Sequence, residues 1–307
     1  MEQRHPSPAA AYLAAALAAS LMGLMGVLVR RIPLPAEAIA LGRFGLGFVF
    51  LVLHRALVQR SLFPRRLSAW SMLAGLWLGL CCLCYFKAVL LTSLGTAAIL
   101  LYLGPLLATL LALPLLGEAV TLLNSLCLGL AFLGCLLIFG LRLDLAPDAL
   151  QGNLYALLSA LFYAGFILAN RRTAAGVSPL DRAFQQLLFA ALTLLPGAVI
   201  SLQGQTLPGA GALSGLPWLL VLGLLDGFLS VFLMAVAMER LRAVQYGTVS
   251  YLEPVIAGLA GLTLYGEVLG LTQCLGGLLI LGGSAGQALL PPQKARASRP
   301  SVQPPLP

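Results

Sequence analysis

Charged residues are scarce in this sequence. Only 9% of its 307 residues are charged, whereas about a quarter are charged in a typical soluble domain. The chain has only two histidines, and it contains no HExxH motif, no Ser/His/Asp set and no Walker phosphate loop. These absences argue against a soluble protein, a nucleic-acid partner, direct use of ATP and an enzymatic activity, and no cofactor is expected.

Cysteines occur without the spacing of a metal site or a disulfide framework. All six lie in apolar runs. Cys81, Cys82 and Cys84 are close together, but no histidine or carboxylate is near them in the sequence. We interpret the cysteines as small apolar packing residues, and no metal site is expected.

Long apolar runs dominate the chain instead. Hydrophobic residues make up 60% of it, and the mean hydropathy is +0.98. Since a membrane helix needs about 20 apolar residues, the sequence predicts an all-α integral membrane protein with ten spans in a lipid bilayer. The Pro-rich tail 291–307 is predicted to be disordered. The predicted spans are 9–29, 36–58, 69–90, 94–113, 120–141, 152–170, 180–202, 216–238, 243–264 and 268–290.

The net charge of +8 comes mostly from residues in the short segments between spans. With the N-terminus in the cytoplasm, 13 lysines and arginines fall on the cytoplasmic side and three on the outer side. This asymmetry is typical of membrane proteins, whose cytoplasmic loops are enriched in basic residues. It predicts a multi-pass protein of the inner membrane with both termini in the cytoplasm.

The chain also repeats itself. Two short motifs recur at the same offset of 149 residues, and an Arg-Arg pair recurs at an offset of 141. Each repeat, 9–141 and 152–290, holds five spans, and an odd number makes the second copy enter the membrane from the other side. Such inverted repeats are typical of secondary transporters, with the substrate site between the halves near the midplane. The recurring segments are 102–105 with 251–254, 113–118 with 262–267, and 30–31 with 171–172.

These features resemble the EamA family of the drug/metabolite transporter superfamily over residues 9–290. The resemblance rests on Pro105, Pro254, Arg43-Phe44 and the Gly-Glu pairs before the fifth and tenth spans. It implies a central cavity lined by helices 1–4 and 6–9, with helices 5 and 10 to one side. It also implies transport of small metabolites, often outward. Gly104 stands where the second half has Glu253, so the two halves are not expected to offer equal sites.

Asp226 is the most informative single residue. It lies about ten residues into the eighth span, about 15 Å from its end at 1.5 Å per residue, and therefore near the bilayer centre. A carboxylate there costs roughly 2.5–3.5 kcal/mol on insertion scales. We interpret Asp226 as a ligand for a substrate amine or as a proton carrier; the alternative is a structural hydrogen bond or ion pair between helices.

Glu253 lies midway along the ninth span, just before Pro254. Proline removes a backbone donor and strains the preceding turn, so Glu253 is predicted to face the cavity with Tyr246 and Ser250. The alternative is that the Glu-Pro pair is structural. Pro105 marks the corresponding helix break in the first half.

Arg43 and Tyr163 each have two interpretations, and Glu118 has a mainly structural one. Arg43 either takes part in the site, by binding a substrate carboxylate or by pairing with Asp226 or Glu253, or it extends toward the membrane surface. Tyr163 belongs to a polar stripe of the sixth span that either lines a path or joins helices. Glu118 and its counterpart Glu267 are interpreted mainly as helix N-terminal caps.

Together these residues predict a secondary transporter that works by alternating access on a small-molecule substrate. The preferred activity is export of amino acids or amino-acid-derived compounds, and a metallophore built from amino acids also fits. Proton exchange and uniport both remain open. The alternatives are an efflux carrier for drugs or cations and a channel or membrane scaffold. Glycines in the last span also suit a homodimer.

Overall fold

A computed structural model describes residues 7–140, 147–173, 176–203, 209–266 and 268–290. Helices account for most of these residues, and the described ranges contain no strand. The predicted disordered tail, 291–307, lies outside them. The helices are α1 Pro8–Val29, α2 Ala36–Gln59, α3 Ala69–Leu91, α4 Leu94–Leu116, α5 Leu122–Phe139, α6 Pro147–Thr173, α7 Pro179–Gln203, α8 209–237, α9 Ala243–Tyr265 and α10 Leu271–Leu289.

Every predicted span corresponds to one of these helices, which confirms the ten-helix all-α fold. In the described part of the chain, nine helices are long and apolar enough to cross a membrane. The tenth helix, α10, packs along α5. Helices suit these segments because each one satisfies its own backbone hydrogen bonds in lipid. The predicted ends are off by several residues, most clearly at α8, which begins at Gly209 rather than Leu216, and at α6, which begins at Pro147 rather than Gly152.

Packing between helices follows a two-fold pattern. The contacts α3–α6, α3–α7 and α4–α6 have the counterparts α8–α1, α8–α2 and α9–α1, in which every helix number changes by five. The contacts α2–α7, α4–α9 and α5–α10 are their own counterparts. A two-fold axis produces this exchange, because equivalent surfaces then meet reciprocally.

Individual contacts follow the same rule. A Cβ added at Gly134 would overlap the carbonyl oxygen of Gly276, and one added at Gly283 would lie 2.6 Å from that of Cys127. These two contacts exchange under the 149-residue offset, since Gly134 corresponds to Gly283 and Cys127 to Gly276. We infer that the halves are related by a two-fold axis, and the odd number of helices in each half then inverts the second.

The bundle has two chemically different ends. One carries the α2–α3, α4–α5, α6–α7 and α8–α9 connections, and it is called the basic end below. The termini of the bundle meet there too, because the Tyr12 hydroxyl of α1 donates a hydrogen bond of 2.9 Å to the carbonyl oxygen of Gln287 in α10. The other end, called the opposite end, carries the α1–α2 and α3–α4 connections.

Candidate functional site

Two charged side chains meet inside the bundle. Arg43 of α2 and Asp226 of α8 form an ion pair with 2.7 Å between Nε and Oδ2. Their side chains are 6% and 0% exposed. Arg43 therefore pairs with Asp226 within the membrane, which is one of the two interpretations given above. Its side chain does not extend to the membrane surface.

Local backbone features bring this pair together. Asp226 lies in a π-helical segment of α8, Gly223–Leu229, and such insertions are frequent at functional sites. A Cβ added at the adjacent Gly227 would overlap the carbonyl oxygen of Arg43, and one at Gly47 would lie 2.9 Å from the Gly227 backbone. Because α2 and α8 approach so closely, the charges lie side by side.

The ion pair leaves hydrogen-bonding capacity unused. Arg43 Nη1 lies 3.5 Å from the sulfur of Met25, while Nη2 has no hydrogen-bond partner among the described residues. Oδ1 of Asp226 likewise lacks one. Removing one partner of a buried ion pair typically costs about 3–5 kcal/mol. The pair is therefore difficult to separate, yet it retains a free donor and a free acceptor for a polar ligand.

Glu253 adds a second carboxylate to this cluster. It lies in the first turn of Leu252–Tyr265, the second segment of α9, and interacts electrostatically with Arg43 and Asp226. The Tyr102 hydroxyl of α4 lies within hydrogen-bonding reach of it. Whereas Arg43 and Asp226 are buried, Glu253 is partly exposed. Glu253 is therefore the third charged residue of the site, and the residue as a whole is less enclosed than the ion pair.

Helix breaks place Glu253 there. The α4 and α9 helices are each interrupted at a tyrosine, Tyr102 and Tyr251. Pro105 and Pro254 follow three residues later and supply no N–H for the carbonyl groups of Leu101 and Ser250, where the first segments end. The breaks thus lie one turn before the prolines named from the sequence. The Tyr251 hydroxyl donates to the carbonyl oxygen of Tyr102 at 2.5 Å, so the two breaks touch.

A polar cluster lies beside the second break. The hydroxyl group of Tyr163 in α6 is within hydrogen-bonding reach of Ser250 and Tyr246 in α9. All three residues are buried. Tyr163 also packs against Gly104, where an added Cβ would lie 2.8 Å from its ring. Because that contact leaves no room for a side chain at the position equivalent to Glu253, the site has one glutamate.

Sequence reasoning missed part of this arrangement. Tyr85 of α3 is not among the candidate residues that the sequence singles out, and Tyr102 belongs only to a repeated segment. Both interact electrostatically with Glu253. Cys81 and Cys82 are close enough to interact with Arg43. No group of His, Cys, Asp and Glu suited to a metal ion occurs among the residues that the structure describes.

The basic end is held by an ion pair that the sequence did not single out. Arg55 of α2 donates a hydrogen bond of 2.7 Å to Asp181 of α7, and the side chains are 1% and 5% exposed. Asp181 also accepts from the backbone N–H of Arg65 at 3.2 Å. This pair joins the first half to the second.

A second ion pair across the halves involves Glu118. Its carboxylate lies 2.7 Å from Arg171 at the end of α6, and it accepts a hydrogen bond of 3.0 Å from the backbone N–H of Ala243. Glu118 therefore caps a helix, but that helix is α9 rather than α5, which follows it in sequence. Glu267, its counterpart, lies outside the described residues.

The opposite end shows looser charged contacts. Lys87 and Glu37 are 3.7 Å apart, and the lysine side chain is 48% exposed, so this pair contributes little. Arg30 lies over the Tyr265 ring at 4.7 Å and Arg31 over Trp218 at 5.4 Å.

Comparison with known proteins gives matches of three kinds. The sequence pattern of the EamA-like transporter family matches residues 9–140 and 150–287. A protein of Archaeoglobus fulgidus described as an uncharacterized transporter is 27% identical over 273 residues, covering 87% of this chain and 92% of the relative. A protein of known crystal structure aligns with a TM-score of 0.79 at 23% identity, covering 95% of this chain and all of that one; this last match concerns the fold alone.

Proposed function

This chain belongs to the EamA-like transporter family and is a multi-pass membrane transporter, and we propose that it exports amino acids or compounds derived from them. One observation carries the substrate assignment. An arginine and two carboxylates, Arg43, Asp226 and Glu253, are gathered where the two halves meet. Charged groups within membrane helices mark substrate and ion pathways, and this set suits a small molecule with an amine.

The proposed mechanism is alternating access. Two-fold related halves can take two arrangements around a site between them, one open to each side of the membrane. In the arrangement described here, the pairs Arg55–Asp181 and Arg171–Glu118 join the halves at the basic end. We place that end in the cytoplasm of an inner-membrane protein, because loops rich in lysine and arginine stay on that side. Opening toward the cytoplasm then requires both pairs to separate.

The substrate can be identified from the metabolites that cells secrete when they express the protein. We would compare medium and cell extract by untargeted mass spectrometry for cells with empty vector, the wild type, Asp226→Asn and Glu37→Gln. The wild type should deplete one class of amine-bearing metabolites inside and enrich it outside. Asp226→Asn should reduce this export by about tenfold or more, which corresponds to at least 1.4 kcal/mol of lost interaction.

Glu37→Gln is the matched control, because it also replaces a carboxylate with an amide but acts at the exposed Lys87 contact. It should export like the wild type. Unchanged export by Asp226→Asn at equal protein levels would remove Asp226 from the site.

Energy coupling needs purified protein in liposomes. Exchange of a proton against the substrate is the preferred hypothesis, since Asp226 and Glu253 are carboxylates that can take up a proton; a uniporter is the alternative. Transport would be measured at a fixed substrate gradient with and without an imposed pH gradient. No response to the imposed pH gradient would exclude proton coupling.

Saturable counterflow would distinguish a carrier from a channel or scaffold. The absence of saturable counterflow with intact protein would favour a channel or scaffold.

A further inference from the structure

The charge balance of the site points to one class of substrate. We propose that the site binds a monovalent organic amine that lacks a free carboxylate, in preference to an intact amino acid. This inference rests on the export function proposed above and narrows its substrate class. It depends on three observations: the ion pair of Arg43 with Asp226, the position of Glu253 and the groups around Glu253.

Arg43 is already matched by a carboxylate. Its Nε lies 2.7 Å from Oδ2 of Asp226, and both side chains are buried. Glu253 interacts with both residues, so a substrate carboxylate at the free Nη2 of Arg43 would also face two protein carboxylates. Repulsion between these like charges at low dielectric opposes that arrangement. Arg43 therefore favours a ligand without a carboxylate.

Glu253 supplies the charge that remains. When Arg43, Asp226 and Glu253 are all ionised, their net charge is −1, and one added monovalent cation makes the filled site neutral. Glu253 is partly exposed, and its described polar neighbour is the neutral Tyr102 hydroxyl. An ammonium group beside Glu253 gains a charge-assisted hydrogen bond without disturbing the Arg43–Asp226 pair.

Four tyrosines are near enough to this carboxylate to interact with it electrostatically. Tyr85, Tyr102, Tyr163 and Tyr246 all interact with Glu253, and they come from α3, α4, α6 and α9. Tyrosine rings attract cations through their faces, and burial strengthens this attraction. The same rings pack against an apolar substituent of the ligand. The site therefore suits an amine that carries an apolar or aromatic group.

In the proposed exchange, a proton replaces the charge of the amine in the site. When the ammonium form of the amine binds to ionised Glu253, the site becomes neutral; when the amine leaves, a proton taken up by Glu253 restores neutrality. One protonated amine then crosses in one direction for each proton that crosses in the other. No covalent bond other than the O–H bond of Glu253 forms or breaks.

Three probes that share a phenyl ring test the inference. Phenethylamine carries an ammonium, phenylalanine carries both charges, and 3-phenylpropionate carries only a carboxylate. Binding to purified wild type in nanodiscs would be measured by isothermal titration calorimetry. Phenethylamine should bind about tenfold or more tightly than phenylalanine, and 3-phenylpropionate should bind most weakly. Equal or tighter binding of phenylalanine, or binding of none of the three, would overturn the proposal.

Two variants of the charged residues change the prediction in different directions. Glu253→Gln should weaken binding of phenethylamine by about tenfold or more. Asp226→Asn frees Arg43 while Glu253 stays charged, so it should move the preference toward phenylalanine. Glu37→Gln should behave like the wild type in all three titrations. An unchanged order of affinities in both site variants, each monodisperse in size-exclusion chromatography, would contradict the assignment.

Counterflow in liposomes separates this inference from the transport function. Counterflow of host metabolites without selectivity for amines would support the transport function and contradict the proposed substrate class. Selective binding of phenethylamine without counterflow would support the site and contradict the transport function.

Discussion

Gly227 sets the distance between the two charged side chains of the site. The carbonyl oxygen of Arg43 occupies the space that a Cβ at Gly227 would need. This contact is backbone against backbone, so no flexible side chain can yield. Because Gly227 has no side chain, α2 and α8 can approach closely enough for Arg43 to reach Asp226.

Gly227→Ala should consequently destabilise the protein and impair transport. Overpacking typically costs about 1–3 kcal/mol, and the displaced helix would also separate Arg43 from Asp226. Thermal unfolding in detergent and counterflow in liposomes measure the two effects. Gly129→Ala in α5 is the matched control, because nothing lies within 4 Å of its added Cβ. A stable, active Gly227→Ala protein would show that the close approach of α2 and α8 is not needed.

The interruptions of α4 and α9 matter at the scale of elements. Both helices stop at a tyrosine and restart, and the new segment of α9 carries Glu253 in its first turn. A helix N-terminus has unpaired N–H groups and a partial positive charge, which stabilises a carboxylate nearby. The break thus sets both the position and the surroundings of Glu253.

Pro254→Ala should restore the missing backbone N–H and favour a continuous α9. Glu253 would then turn relative to Tyr102, and transport should fall with little loss of stability, because proline in a helix interior is itself unfavourable by about 3 kcal/mol. The fall in transport would be measured as initial rates in liposomes over a range of substrate concentrations. Leu264→Ala, at an exposed position late in the same helix, controls for substitution in α9. Unchanged kinetics would make the proline a structural feature only.

At the scale of the whole molecule, the two ends differ although the halves are related by symmetry. Arg55 and Asp181 form a buried ion pair at the basic end. At the opposite end, Lys87 and Glu37 form a looser pair, 3.7 Å apart. The buried Arg55–Asp181 pair therefore stabilises closure at the basic end more strongly.

Asp181→Asn should shift the conformational equilibrium toward opening at the basic end. Separation of a buried ion pair is worth about 3–5 kcal/mol, enough to change a population ratio by more than tenfold. Spin labels at Gln59 and Arg240, two exposed positions at this end, would report the change as a longer distance in electron-spin resonance.

The same label pair provides the control. Glu37→Gln, at the opposite end, should leave the distance distribution unchanged. If the distribution for Asp181→Asn also matches the wild type, Arg55–Asp181 does not control opening.

Composition and the spacing of long apolar runs alone determined the fold class and the ten helices. The reason is physical: a chain that is 60% hydrophobic has to satisfy its backbone within lipid, and helices of about 20 residues achieve this. The candidate site was predictable in part for the same reason, since Asp226, Glu253 and Arg43 are conspicuous among apolar residues.

Tertiary structure decided the partners of these residues. Arg43 and Asp226 are 183 positions apart, and they meet because glycines let α2 and α8 touch. Glu118 caps α9 rather than its own helix, and Asp181, which looks like an ordinary residue of a helix start, is buried against Arg55. Such contacts depend on how helices from different halves pack, and a periodic apolar pattern carries no information on which polar residues face one another.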